Sequence, residues 1–288
     1  MKSKSKQISQ APLALALGGG GSKTFAHLGV LDALRQHDIL INQIVTCSSA
    51  SVMAVLYLSG WSSQQIIHQF GQKRHWWRLA TGSLFSYLLS QTTQTAGVTD
   101  LAELKPALSI VSVDLKTGQP VVFQSGDPVK LALASSAFPG LLPAVKYGQY
   151  YLIDGGSLNP DPADIARQQV GNHGMVLTVS LRLEYPTEKP GNRLNTLLKS
   201  LYLLPYHQRV QVVKNNSDMV LTPLSHLKIS FTDWKETFVG YCSLKKMQYF
   251  YQQGYQTTIK HLPQIQQLLS AKTSHPTRAT SPRSPKAT

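Results

Sequence analysis

Continuous apolar runs alternate with helix-like stretches along most of this 288-residue chain. Several of these runs are too apolar to be half exposed, which is typical of strands buried on both faces of a sheet. We predict six strands, at 13–17 (LALAL), 44–47 (IVTC), 107–113 (ALSIVSV), 120–123 (PVVF), 150–153 (YYLI) and 175–181 (MVLTVSL).

Helical patterns separate the strands. Phe25, Leu28, Leu31 and Leu34 recur at helical spacing, and the segment 51–60 (SVMAVLYLSG) ends at a glycine that suits a helix C-cap. A final periodic stretch at 242–269 predicts one or two closing helices. Buried strands that alternate with helices predict an α/β fold, a three-layer sandwich with a mostly parallel central sheet.

The segment 62–97 breaks this pattern, because it mixes apolar, basic and paired aromatic residues. We interpret it as a candidate cap. Trp76 and Trp77 lie among basic residues, which favours contact with the head groups of a lipid surface. The alternative is that both rings pack on the sheet.

The composition fits one large domain, which we place at 11–270. Only two cysteines occur, Cys47 and Cys242, so neither a disulfide framework nor a cysteine zinc site is expected. The histidines are scattered and no H-E-x-x-H arrangement occurs. We therefore expect no metal and no other cofactor.

Half of the net charge of +14 lies in the two ends of the chain, which contain no acid. We predict a flexible basic arm at 1–10 and a disordered basic tail, rich in Ser, Thr and Pro, at 271–288. The simplest role of the tail is solvation, and weak attraction to an anionic membrane is the alternative. No recognised motif accompanies the charge, so we expect no nucleic-acid partner.

The apolar run from Ala11 to Leu17 is short for a secretion signal and ends in four glycines. No run approaches the ~20 apolar residues needed to cross a bilayer. We expect a cytoplasmic protein that is soluble or peripheral at a membrane.

Three motifs follow strands. The glycines at 18–21 lead into a helix, where bare backbone N–H groups can bind an anion. Ser48 lies between a strand and a helix, as in a nucleophile elbow, and Asp154 ends a strand before two glycines. Each has a structural alternative: a tight turn, a helix N-cap and an Asp-Gly turn.

In this order and spacing, the three motifs resemble those of the patatin-like phospholipase family, with its GGGx[RK]G loop, GxSxG elbow and DG[GA] motif. The resemblance runs over 13–183 and returns at 216–269. It implies a patatin-like fold and a lipid acyl hydrolase with Ser48 as nucleophile and Asp154 as catalytic aspartate. It also implies an oxyanion loop made of Gly19, Gly20, Gly21, Ser22 and Lys23.

The implied dyad contains no histidine. A carboxylate of ordinary pKa ~3.9 is a poor base for an alcohol, so Asp154 should lie in a partly dry site in contact with the Ser48 hydroxyl. Attack on an ester would give an acyl-Ser48 intermediate that water hydrolyses. The expected substrates are phospholipids or other acyl esters.

Three glycines of the family pattern are replaced, by Thr24, Thr46 and Ala50. A small shift of strand against helix would absorb the added side chains; otherwise the Ser48 hydroxyl would move by about 1 Å, at a cost on the order of 10²-fold in rate. Asp161 stands where the family commonly has an apolar residue, and we expect it to face solvent.

Other interpretations remain open at this point. A Ser-Asp-His triad would take its base from His173, His207 or His226, although no local sequence favours any of them. His27 is expected to be a packed or surface residue. A catalytically weak or silent lipid-binding or scaffolding relative, and an acyltransferase, are the functional alternatives. The sequence does not indicate the oligomeric state.

Overall fold

A computed structural model describes residues 10–73, 78, 83–181, 193–227 and 240–274. Trp76 and Trp77, nearly all of the predicted N-terminal arm and the tail from 275 lie outside the described residues. Within the described ranges, eight strands form one sheet. They are β1 (Leu13–Leu17), β2 (Gln43–Cys47), β3 (Ala107–Asp114), β4 (Gln119–Phe123), β5 (Val145–Tyr147), β6 (Tyr150–Asp154), β7 (Met175–Val179) and β8 (Met219–Leu221).

The sheet is parallel through five of its strands. Hydrogen bonds connect the strands in the order β5-β6-β3-β2-β1-β7-β8, and β4 also pairs with β3. The ladders from β3 through β2, β1 and β7 to β8 are parallel, whereas β4, β5 and β6 pair antiparallel. All six predicted strands are confirmed, and the two three-residue strands β5 and β8 were not predicted.

The register of β3 brings the ends of β2 and β6 together. Val111 pairs with Cys47 of β2, and the next residue, Ser112, pairs with Asp154 of β6. Because β4 pairs with β3 along 110–114, both β2 and β6 must use the other edge of β3, where they meet end to end. The residue that follows β2 therefore lies beside the last residue of β6.

Helices cover both faces of the sheet. They are α1 (Phe25–Gln36), α2 (Ser49–Leu58), α3 (Ser63–Phe70), α4 (Leu84–Ala96), α5 (Pro128–Ser135), α6 (Ala163–Val170), α7 (Arg193–Asn216) and α8 (Leu244–Ser274).

The two faces of β1 show the three layers. Leu13, Leu15 and Leu17 join the large hydrophobic cluster formed with α1, α2, α3, α4 and α8. Ala14 and Ala16 join a second cluster formed with α6. Because successive strand residues point to opposite faces, the sheet lies between these two layers, which confirms the predicted α/β sandwich.

Helices α3 and α4 belong to the core. Ile66, Phe70, Leu84 and Leu88 are buried, and the ring of Phe70 contacts that of Phe25 edge to face, with centroids 5.3 Å apart. Within 62–97, the described residues thus differ from the expected cap, because their apolar side chains recur at helical spacing and pack inward. No helix in the described ranges is long and apolar enough to span a membrane.

The first and last helices cross at very close range. A side chain at Gly254 of α8 would begin only 1.9 Å from the Ala26 carbonyl oxygen of α1, so only glycine permits this approach. Tyr251 Oη also donates to Asp32 Oδ2 of α1, at 3.1 Å. Helix α8 continues to Ser274, so the first four residues of the segment predicted as tail are helical.

Candidate active site

The chain turns sharply between β2 and α2, and Ser48 forms the turn. Its backbone has φ 58° and ψ −141°, a region that residues with a side chain rarely adopt. Such a conformation costs on the order of 1–3 kcal/mol and persists where the surrounding structure enforces it. Ser48 remains partly exposed although both neighbours are buried.

Ser48 and Asp154 are in direct contact. Ser48 Oγ donates a hydrogen bond to Asp154 Oδ2 at 2.6 Å, and the Gly156 N–H donates to Asp154 Oδ1 at 2.7 Å. Burial raises the pKa of Asp154 from 3.8 to about 6, against the opposing effect of these two hydrogen bonds. The carboxylate is therefore a better base than an ordinary aspartate at neutral pH.

The glycine loop lies against Ser48. A side chain at Gly19 would begin 2.9 Å from Ser48 Cβ, so this position requires glycine. The Gly19 N–H donates to the Pro160 carbonyl at 2.9 Å and is therefore engaged, which differs from the expectation for the whole loop. The N–H groups of Gly20 and Gly21 have no partner among the described residues and are available to an anion.

The remaining residues of the predicted loop form a 3₁₀ turn, Gly21–Thr24. Ser22 and Lys23 are buried in it, and the Lys23 N–H donates to the Gly20 carbonyl at 3.3 Å. Thr24, which replaces a family glycine, donates its hydroxyl to the Gly21 carbonyl at 2.7 Å. This substitution thus supports the turn.

His27 contacts the first residue of the glycine loop, a role that the sequence did not reveal. It is buried, and its Nε2 lies 2.7 Å from the Gly18 carbonyl oxygen, which can only accept a hydrogen bond. Burial lowers the pKa of His27 to about 4, so the ring is neutral with its proton on Nε2. A histidine on the apolar face of a predicted helix was the only available signal.

A chain of hydroxyl groups supports the backbone of Ser48. The Ser48 N–H donates to Ser135 Oγ at 2.9 Å, and Ser135 Oγ donates to the Val111 carbonyl at 2.6 Å. Ser51 Oγ donates to Ser135 Oγ at 3.0 Å and lies 3.0 Å from Thr46 Oγ1. Thr46, the second replacement, is therefore part of this support.

The replaced glycines leave the contact between Ser48 and Asp154 intact. Ala50 is fully buried in the hydrophobic core, and Thr46 is fully buried in the hydroxyl chain. With these side chains in place, Ser48 Oγ still lies 2.6 Å from Asp154 Oδ2. Thr46 and Ala50 are thus compatible with direct contact between the two side chains.

Asp161 does not face solvent, and that expectation is wrong. It is fully buried, with Oδ2 3.0 Å from Arg209 Nε of α7 and 2.5 Å from Ser180 Oγ. A buried carboxylate needs such partners because desolvation disfavours its charge. The preceding residue, Pro160, holds Gly19, so this ion pair lies beside the glycine loop.

The three histidines considered for a triad lie elsewhere. His173, His207 and His226 are exposed, whereas Asp154 is buried. His226 Nε2 lies 2.7 Å from Tyr249 Oη, and in the described structure no hydrogen bond joins any of the three to Ser48 or Asp154. In those same ranges, no group of three or more His, Cys, Asp or Glu residues is placed to hold a metal ion.

Comparison with known proteins identifies the family. A family model described as patatin-like phospholipase matches residues 15–105 and 88–167, which together cover more than half of the chain. The chain belongs to this family. The match includes the glycine loop, Ser48 and Asp154.

Curated proteins similar to this chain include members of the NTE family. The chain is 26% identical over 196 residues to "Uncharacterized NTE family protein Rv2565" of Mycobacterium tuberculosis, covering 64% of this chain and 33% of that protein. It is 28% identical over 170 residues to "Lysophospholipase NTE1" of Debaryomyces hansenii, covering 54% of this chain and 11% of that protein. The chain therefore spans a third or less of the length of these relatives.

The crystal structure of VipD from Legionella pneumophila is similar to this chain at a TM-score of 0.46 and 13% identity. The similarity covers 88% of this chain and 67% of VipD.

Proposed function

We propose that this protein is a lipid acyl hydrolase with Ser48 as nucleophile and Asp154 as general base. The observation that carries the proposal is the 2.6 Å hydrogen bond from the strained, partly exposed Ser48 to the buried Asp154. Membership of the patatin-like phospholipase family and similarity to a lysophospholipase support a lipid ester as the substrate class.

In the proposed first half-reaction, Ser48 Oγ attacks the ester carbonyl carbon while its proton passes to Asp154 Oδ2. The carbonyl oxygen takes up the negative charge, and the N–H groups of Gly20 and Gly21 donate to it. One such donor typically contributes about 10²- to 10³-fold in rate. Cleavage of the ester C–O bond returns the proton from Asp154 to the leaving alcohol and leaves acyl-Ser48.

In the second half-reaction, a water molecule attacks the acyl carbon and gives its proton to Asp154. The second tetrahedral intermediate breaks at the bond to Ser48, which recovers its proton from Asp154. A fatty acid is released. Asp154 therefore acts as base and then as acid in each half, which suits a carboxyl with a pKa of about 6.

Labelling with a fluorophosphonate and hydrolysis of a p-nitrophenyl ester test the dyad. Ser48→Ala should abolish both, and Asp154→Asn should lower the rate by about 10²- to 10⁴-fold, as expected for loss of a general base. The matched control is Ser270→Ala, which removes an exposed hydroxyl of α8 that donates to the Gln266 carbonyl. It should retain the wild-type rate.

The outcomes separate the alternatives. Equal labelling of wild type and Ser48→Ala would contradict the assignment of the nucleophile. Absence of both labelling and hydrolysis in wild type would favour a silent lipid-binding relative. Formation of a new ester between the acyl group and a second, added alcohol would indicate acyl transfer.

The rate should also depend on pH through Asp154. Only the ionised carboxylate can accept the serine proton, so kcat/KM for a soluble ester should rise with pH through about 6 and then level off. An ordinary aspartate would place this rise near pH 4. A profile without a rise between about pH 5 and 7 would contradict the role of Asp154 as base.

A further inference from the structure

The loop that joins α5 to β5 exposes large apolar side chains. Phe138 and Leu141 are each 44% exposed, and Pro139 and Pro143 are exposed as well. Hydrogen bonds within the backbone of the loop define its turn: the N–H groups of Leu141 and Leu142 both donate to the Phe138 carbonyl at 3.0 Å. Scattered exposed apolar residues are normal in proteins, but a cluster of them indicates an interaction site.

This loop begins beside the candidate dyad. The carbonyl of Ala137, directly before Phe138, accepts the Asp154 N–H at 3.0 Å. Ser135, the last residue of α5, accepts the Ser48 N–H. A surface that this loop contacts would therefore lie close to Ser48 and Asp154, the proposed catalytic groups.

The neighbouring hairpin adds aromatic and cationic side chains. Lys146 of β5 pairs with Tyr151 of β6, which is 41% exposed. Lys116 Nζ lies 5.1 Å from the centre of the Tyr151 ring, and Leu115, which is 56% exposed, donates its N–H to the Tyr151 carbonyl. The sequence contains no Asp or Glu from 128 to 153, so no acid of that stretch opposes these cations.

We propose that this surface docks on a membrane that contains anionic phospholipid. The docking surface consists of Leu115, Lys116, Phe138, Leu141, Lys146 and Tyr151. Apolar side chains enter the boundary between head groups and acyl chains, aromatic rings favour that depth, and lysines are attracted to anionic head groups. The relevance of this docking to catalysis rests on the proposed function, whereas the binding itself does not.

Charge argues against a second copy of the chain as the occupant. In a symmetric dimer the same patch is used by both subunits, so Lys116 and Lys146 would face the same lysines of the other copy. No carboxylate of the stretch 128–153 is available there to balance them. An anionic lipid surface supplies the complementary charge.

Vesicle co-sedimentation tests the docking surface in the full chain, with Ser48→Ala to prevent turnover. The vesicles contain phosphatidylcholine alone or phosphatidylcholine mixed with phosphatidylglycerol. Phe138→Ser with Leu141→Ser should weaken binding to the mixed vesicles by about 10- to 100-fold, because two apolar anchors are lost. Lys116→Gln with Lys146→Gln should reduce the preference for phosphatidylglycerol.

Leu141→Ser alone has a matched control in Leu40→Ser. Leu40 is 57% exposed and lies just before β2, at the opposite end of the parallel strands from Ser48. Leu141→Ser should weaken binding, and Leu40→Ser should leave it unchanged. With Ser48 intact, all these variants should hydrolyse a soluble p-nitrophenyl ester at the wild-type rate, which also shows that they are folded.

Unchanged binding of the double loop variant, or an equal loss in Leu40→Ser, overturns the proposal. So does a loop-dependent dimer in analytical ultracentrifugation with vesicle binding unaffected by the loop changes. If wild type hydrolyses no ester and the loop variants still lose vesicle binding, the proposed function fails and the docking surface stands.

Discussion

Ser48 is held through its side chain by Asp154 and through its backbone by Ser135. The contact with Ser135 matters because the turn is strained and because the Ser48 N–H has no other hydrogen-bond partner in the described structure. Ser135 in turn is fixed by its own hydrogen bond to the Val111 carbonyl of β3. The orientation of the candidate nucleophile therefore depends on a hydroxyl group in another helix.

Ser135→Ala should lower kcat for a soluble ester by about 10-fold or more with little change in KM, since a shift well below 1 Å in a reacting atom is already costly. Ser136→Ala is the matched control. Ser136 is also buried, but its hydroxyl bonds only to the Ala132 carbonyl of its own helix. Equal kcat values for the two variants would show that Ser135 does not position Ser48.

For single residues, the sequence predicted which side chains come together better than it predicted the partners that surround them. Ser48, Asp154 and the glycines are set by local chemistry, so their motifs could be recognised. The consequence of Thr46 could not, because its hydroxyl reaches Ser51 and the Ser109 carbonyl of the neighbouring strand. Only the folded chain brings the Ser109 carbonyl and the helical Ser51 within reach of Thr46.

Among the elements, α7 is tied to the glycine loop through the buried pair of Asp161 and Arg209. The two side chains are 0% and 2% exposed. Removal of one partner from such a pair typically destabilises a protein by 3–5 kcal/mol, whereas replacement of both by apolar residues is often neutral. We therefore expect the pair to determine the position of α7 more than to add net stability.

A double-mutant cycle tests this pair. Asp161→Leu and Arg209→Met should each lower the free energy of unfolding by about 3 kcal/mol or more, and the double variant should lie close to wild type. Lys130→Met, at the exposed ion pair of Lys130 and Asp127, should change stability by less than about 1 kcal/mol. Denaturant unfolding measures all four variants, and simple additivity of the two single effects would exclude coupling.

The burial of Asp161 shows why contacts between distant elements could not be predicted from the sequence. An acid within Asn-Pro-Asp-Pro has the local composition of an exposed turn. Its partner lies in a distant helix, so no periodicity connects the two residues. Helices α3 and α4 were missed as core elements for a similar reason, because the basic and aromatic residues between them obscured the apolar positions at 66, 70, 84 and 88.

At the scale of the whole molecule, Asp154 and His27 are buried groups whose titration changes stability in opposite directions. Asp154 titrates near 6 in the folded chain and near 3.8 when unfolded, so its contribution to stability falls as pH rises from about 4 to 6. His27 titrates near 4 when folded and near 6.5 when unfolded, so its contribution falls as pH drops from about 6.5 to 4. Each amounts to roughly 3 kcal/mol, so they nearly cancel.

Single variants should reveal how each group changes the free energy of unfolding with pH. In His27→Gln, stability should fall relative to wild type as pH rises from about 4 to 6.5, because the stabilisation that the wild type gains from a neutral, buried His27 over this range is lost. In Asp154→Asn, stability should fall relative to wild type as pH drops from about 6 to 4, and the variant should exceed wild type above pH 6. Denaturant unfolding between about pH 4 and 7.5 gives both curves. Parallel curves for all three proteins would contradict these pKa shifts.

The global arrangement was the most predictable part. Continuous apolar strands that alternate with helices leave few architectures other than a sandwich around a parallel sheet, and the order of layers follows from that. The antiparallel β5 could not be predicted, because three half-exposed residues carry no distinct pattern.

The close crossing of α1 and α8 has a consequence during synthesis on the ribosome. Helix α1 carries His27 and follows the glycine loop, yet its packing partner is the last described helix to be translated. A nascent chain that still lacks Gly254 cannot seat α1 against that partner. The packing around the helix that follows the glycine loop is thus completed last, although the loop emerges first, and a product terminated before α8 would contain Ser48 and Asp154 without this packing.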